Sequence, residues 1–132
     1  MMRESRTLTV AIDCPAAEVY AFVADGANLP RWAAGLGTGA RPVEGGWEVP
    51  TEAGTAFLRY ADENVFGVLD HTVRLPQGGE VYVPMRVIAD RETSLVLFTV
   101  FREAGMTDAQ FAADVQAVAH DLDTLAALLR RV

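Results

Sequence analysis

Phe111, Val115, Val118, Leu122, Leu125 and Leu129 recur at spacings of 4, 3, 4, 3 and 4. That rhythm places six apolar side chains on one face of a helix about 23 residues long, running from about Thr107 to the chain end. Thr107 or Asp108 can cap its start. His120 points to the opposite side of the wheel, and Asp114 and Asp121 flank the apolar stripe. A long helix with a single apolar face needs a second layer to lie on, and the sequence before it supplies strands. Short turns between them predict an antiparallel sheet. The expected fold class is α+β, one curved antiparallel β-sheet gripping one long C-terminal α-helix.

The first strand is expected over Thr7 to Asp13, where Leu8, Val10 and Ile12 alternate with polar neighbours. Pro15 suits a first helical turn, and Val19, Phe22 and Val23 form the apolar stripe of a short helix. Asp25-Gly26 ends it, and Leu29 to Ala34 reads as a second short helix capped by Asn28. Reversals at Gly45-Gly46, Gly54, Pro76-Gln77-Gly78-Gly79 and Asp90-Arg91-Glu92-Thr93 divide the middle of the chain. The strands between them are expected at Gly39–Glu44, Trp47–Thr51, Thr55–Tyr60, Val65–Leu75, Glu80–Ala89 and Ser94–Arg102. Pro84 inside one of these predicts a bulge or an edge position.

With 132 residues, 51% of them hydrophobic, the chain has the size and composition of one domain with its own core, expected to span residues 1–132. A net charge of −7 repels phosphate backbones, and no basic cluster offsets it, so nucleic acid is not an expected partner. Arg130-Arg131 read as cations at the end of the last helix, complementing its dipole. No apolar run approaches the roughly 20 residues of a membrane span, so no integral membrane contact is expected. The polar opening Met1-Met2-Arg3-Glu4-Ser5-Arg6 has no signal-peptide core, and one cysteine excludes an internal disulfide. Both readings place the chain in the cytoplasm.

Few residues offer chemistry. On Val65 to Leu75, His71 shares a face with Val65, Gly67, Leu69, Val73 and Leu75, so it is expected to point toward the helix or a cavity. There it could bind a ligand or act as a general base, or serve as a core histidine bonded to neighbouring backbone. Arg86 could hold a ligand carboxylate or phosphate, or pair across strands with Asp70 or Glu80. Trp32 and Trp47 could line a pocket mouth or tie the small helices to the sheet. Phe57, Tyr60, Tyr82, Phe98 and Phe111 are candidate pocket liners or core. Cys14 precedes a helix N-terminus, which can activate a thiol, but it has no nearby histidine in sequence. Asp114 reaches either a pocket rim or solvent. There is no phosphate loop, no nucleophile elbow and no zinc spacing, so no metal or cofactor is expected.

The tract Ile12-Asp13-Cys14-Pro15-Ala16-Ala17-Glu18-Val19-Tyr20-Ala21-Phe22-Val23-Ala24-Asp25, followed by Asn28-Leu29-Pro30-Arg31-Trp32, resembles the opening of START-like (SRPBCC superfamily) proteins. Phe66-Gly67-Val68-Leu69-Asp70-His71 and Asp121-Leu122-Asp123-Thr124-Leu125 are similar to one bacterial, mostly uncharacterised branch of it. The resemblance implies the helix-grip fold, with a bent antiparallel sheet around a long C-terminal helix and two short helices closing one end. It also implies a cavity between sheet and helix for a hydrophobic, lipid- or polyketide-like molecule.

Three functions follow as expectations. The first is a binding module for a hydrophobic small-molecule ligand, with Arg86 or His71 fixing its polar end. The second is a polyketide cyclase or dehydratase, with His71 as general base and Arg86 or Tyr82 polarising a carbonyl. The third is a filled-core protein-interaction domain. Pairing of an exposed sheet edge into a homodimer stays open.

Overall fold

The computed structural model describes residues 2–34 and 39–131. β1 (Ser5–Ile12) leads into α1 (Ala16–Ala24), a 3-10 turn (Gly26–Asn28) and the short α2 (Leu29–Trp32). The strands follow as β2 (Arg41–Val43), β3 (Gly46–Thr51), β4 (Gly54–Tyr60), β5 (His71–Arg74), β6 (Glu80–Val83), β7 (Met85–Asp90) and β8 (Thr93–Phe101). α3 (Asp108–Leu129) closes the order. The expected extension of that helix to the chain end includes Val132, which lies outside the described residues.

Every pairing is antiparallel, in the orders β1-β8-β7 and β2-β3-β4-β5-β6. One hairpin joins the two groups. His71 faces Val83 in the β5–β6 half, and Val68 faces Arg86 beyond it, in the same register. The result is a curved antiparallel sheet with a long C-terminal helix, the α+β helix-grip architecture expected from the segment order.

Two expected strands change at this hairpin. Val65–Leu75 keeps regular pairing only over His71–Arg74, and Glu80–Ala89 divides at Pro84 into β6 and β7. Proline has no N–H to give the ladder. The shared register sets Asp70 opposite Pro84, and the side chains beside the break take over the lost bonds. The Met85 N–H donates to Asp70 Oδ1 at 2.9 Å, while Leu69 N–H still donates to the Met85 carbonyl at 2.9 Å. The Leu69 carbonyl receives the His71 Nδ1–H at 2.9 Å. Gly67 lets this strand approach β7: its φ is +76°, and a Cβ there would sit 2.1 Å from the Val87 carbonyl oxygen. At the β7–β8 turn, Arg91 takes a positive φ of 58°.

The apolar stripe of α3 packs as its spacing requires. Phe111, Leu122 and Leu125 are buried, Val115, Val118 and Leu129 are half-buried, and His120 is exposed. Leu122 and Leu125 share the core with Ile12, Val19, Val23, Met85 and Val96. Thr107 caps the helix with a reciprocal bond pair to Gln110, satisfying two N-terminal donors. The arginines expected to complement the helix dipole do something else. The helix ends at Leu129 and Arg130 is extended. Arg131 instead donates its backbone N–H to the Asp13 carbonyl at 2.8 Å and its guanidinium to both Glu18 oxygens at 2.9 and 3.0 Å.

Candidate functional site

An open cleft of about 1060 Å³ lies between α1, the β2–β3 turn, the end of β4 and the 61–67 segment. Its α1 wall is low, because Ala16, Ala17, Ala21 and Ala24 face it while Val19 and Val23 turn into the core. Val87 and Ala89 of β7 form part of its floor. Tyr20, Trp47 and Tyr60 line its walls, and Phe66 stands at its mouth. Trp47 closes one end against Gly26, where a Cβ would lie 2.3 Å from the indole; only glycine leaves that ring its place.

The rim opposite α1 is built by one side chain. Asn64 Oδ1 accepts the N–H groups of Phe66 and Val68, each at 3.0 Å. Its Nδ2 donates to the carbonyls of Asp62 and Val68, each at 2.9 Å, and its own N–H donates to the Tyr20 hydroxyl at 3.2 Å. A single side-chain amide thus satisfies four backbone groups, and the Asn64 backbone N–H ties the segment to α1. Held at its tip, Val65 is 92% exposed and Phe66 81% exposed, so two large apolar side chains stand in solvent at the mouth of the cleft. On a segment braced this firmly, their exposure is a property of the fold rather than of chain fraying.

Polar chemistry in the cleft rests on Tyr60, Asp25 and Glu63. Burial, and secondarily the charge of Asp25, raises the Tyr60 phenol above its ordinary range, so it stays protonated. Tyr60 lines the cleft, and its hydroxyl has no hydrogen-bond partner among the described residues. Asp25 caps the following turn, its Oδ1 accepting the Ala27 N–H at 3.1 Å.

Of the sequence candidates, Trp47 and Tyr60 line this cleft. His71 is 8% exposed, its ring edge-on to Tyr60 at 5.3 Å and to the half-buried Phe98 at 6.0 Å. Burial lowers its pKa, so the ring is neutral, with Nδ1–H committed to the Leu69 carbonyl. Arg86 forms a two-bond fork to Asp70 at 2.8 and 2.9 Å, and the Tyr82 hydroxyl donates to the same carboxylate at 3.1 Å. Phe57 lies under the Arg74 guanidinium, 5.3 Å from its ring centre. Trp32 is packed in the core, and Phe111 borders a separate groove with Arg102 and Asp108. Asp114 is exposed. Cys14 is buried, and burial together with the Glu18 carboxylate pushes its thiol pKa up, away from reactivity. Among the described residues, no group of three metal-ligating side chains assembles, and no helix is long and apolar enough to cross a membrane.

Tyr20, Asn64, Val65 and Phe66 were not singled out by the sequence as site residues. The signal was present in Asn64, a turn-forming residue directly before the Val65–Leu75 run that alternation alone assigns to a strand, and in Gly67 within that run.

No protein-family model and no curated protein sequence matches the chain. Solved structures match its architecture. An uncharacterized protein from Bacillus thuringiensis superimposes with a TM-score of 0.75 at 16% identity, over 96% of this chain and 98% of the other. A START superfamily protein from Mycobacterium smegmatis matches with a TM-score of 0.67 at 13% identity, over 95% and 96% of the two chains. The chain has a START-like fold. The same START-like fold is found in the di-domain ARO/CYC BexL from the BE-7585A biosynthetic pathway, with a TM-score of 0.68 at 21% identity. That match covers 96% of this chain and 45% of BexL. At these identities the likeness concerns architecture, and function has to be argued from the site.

Proposed function

We propose that this START-like domain binds a hydrophobic small molecule, lipid- or polyketide-like in its apolar body, in the cleft beside α1. The observation that carries this reading is Tyr60, its phenol protonated and without a hydrogen-bond partner among the described residues, in the lining of an aromatic cleft with a preformed rim. Ligand sites are typically such concavities, mostly apolar with a few placed polar groups. The cleft lies between sheet and α1 rather than between sheet and α3, where Leu122 and Leu125 occupy the interior.

The cyclase or dehydratase alternative, with His71 as general base, has less support. His71 does not line the cleft, and its carboxylate neighbour Asp70 is engaged by Arg86, Tyr82 and Met85. The chain has no lysine, so no side-chain amine is available to form an imine. As for a homodimer, β2 offers only Arg41–Val43 with Pro42 at its centre, so β1 is the better edge for pairing.

The test is native mass spectrometry of the protein purified from its own host, with release and identification of any adduct. Ala21→Phe, which fills the cleft from an exposed helix position, should abolish the adduct at unchanged stability. Tyr60→Phe should weaken it. The same spectra report subunit number. Adduct-free protein that also shows no thermal shift with a lipid and polyketide panel would sink the binding reading and leave the filled-core interaction domain.

A further inference from the structure

Resting on the cleft as a small-molecule site, we infer that it selects an apolar ring body carrying a positively charged amine, and discriminates against carboxylates and phosphates. Among the described residues, the charged side chains that line the cleft are Asp25 and Glu63, and no cationic side chain lines it. All 11 basic residues of the chain are arginines. Arg3, Arg41, Arg74, Arg86, Arg102 and Arg131 pair with carboxylates elsewhere, and neither Asp25 nor Glu63 belongs to any of these pairs among the described residues. Asp25 is held in place by its bond to the Ala27 N–H.

The uncharged part of the wall favours the same ligand. The rings of Tyr20, Trp47 and Tyr60 carry negative faces, which attract a cation and stack on a flat apolar body. The Tyr60 hydroxyl adds a neutral hydrogen-bonding partner. A carboxylate placed here would meet two like charges and find no arginine to pair with, inside a protein whose net charge is already −7.

Calorimetric titration of the full chain with naphthylmethylamine, naphthylmethanol and naphthoate tests this, because the three probes share one ring body and differ in charge. At low salt the amine should bind on the order of tenfold more tightly than the alcohol, with naphthoate weakest. Asp25→Asn, which preserves the turn cap, and Glu63→Gln should each lower the ratio of amine to alcohol affinity, and the double variant should remove most of that advantage. Salt at 0.5 M, about a 4 Å screening length, should do the same. Equal binding of all three, or preference for naphthoate, overturns the inference while leaving the cleft reading intact, provided Ala21→Phe blocks the alcohol. Binding of none of the three overturns both.

Discussion

Asp70 concentrates four donated hydrogen bonds on one carboxylate: the Met85 N–H, two from Arg86 and the Tyr82 hydroxyl. Arg86 is the main reason its pKa lies below the ordinary carboxylate value. A depressed folded pKa means that its stabilisation is complete above the unfolded value, about 3.9, and is lost as pH falls through the folded one. Asp70→Asn should lower stability at neutral pH by about 2 kcal/mol, with solvent around Arg86 limiting the loss. It should also flatten the acid limb below about pH 4; an unchanged limb in urea unfolding would exclude Asp70 as its source. His71 acts at a higher pH with the same sign. Burial keeps it neutral when folded, whereas the unfolded chain takes up a proton near pH 6.5. Stability is therefore full above about pH 6.5 and declines as pH falls from there toward the lowered folded value. His71→Asn can still donate to the Leu69 carbonyl and should remove that decline in denaturation curves compared at about pH 7.5 and 5.5.

Among the elements, the 61–70 segment departs most from its pattern. Alternation from Val65 to Leu75 is real, but Gly67 and the break at Pro84 are conformational constraints that outrank it. The segment pairs with β7 through Leu69 and Gly67, then lifts Val65 and Phe66 into solvent under the control of Asn64. Asn64→Ala should leave the fold intact. It should speed hydrogen exchange at the amides of Phe66 and Val68 by about tenfold or more, and weaken binding in the cleft. Unchanged exchange would mean that the segment is held by something other than this amide. α3 behaves oppositely, since its period, cap and exposed His120 all agree with the structure.

At the scale of the molecule, the segments around Glu4 and Arg131 are tied back to the sheet and α1. Arg102, at the end of β8, donates to the Met106 carbonyl, to Glu4 and to Asp108, clamping the β1 end against the start of α3. Arg102→Ala should lower stability and loosen the first turn of α3 in hydrogen exchange. Unchanged stability and unchanged exchange would assign the docking of α3 to its apolar face alone. The cleft belongs to this scale too, because its walls come from α1, the β2–β3 turn, β4, β7 and the Asn64 segment, none of which forms a pocket alone.

The sequence by itself determined the element order, the antiparallel sheet, the amphipathic C-terminal helix and the break at Pro84, because periodicity, proline and glycine act over a few residues. It also offered the structural alternatives for His71 and Arg86, neighbouring backbone and Asp70. Only the tertiary structure decided which aromatic rings meet. Tyr60 and Trp47 look no different in sequence from Phe57 or Phe98, yet they line the cleft while the others face Arg74 and His71. Side-chain direction along a strand has a period of two, but which face meets a cleft depends on where α1 and the Asn64 segment cross that sheet, and no local pattern encodes that crossing.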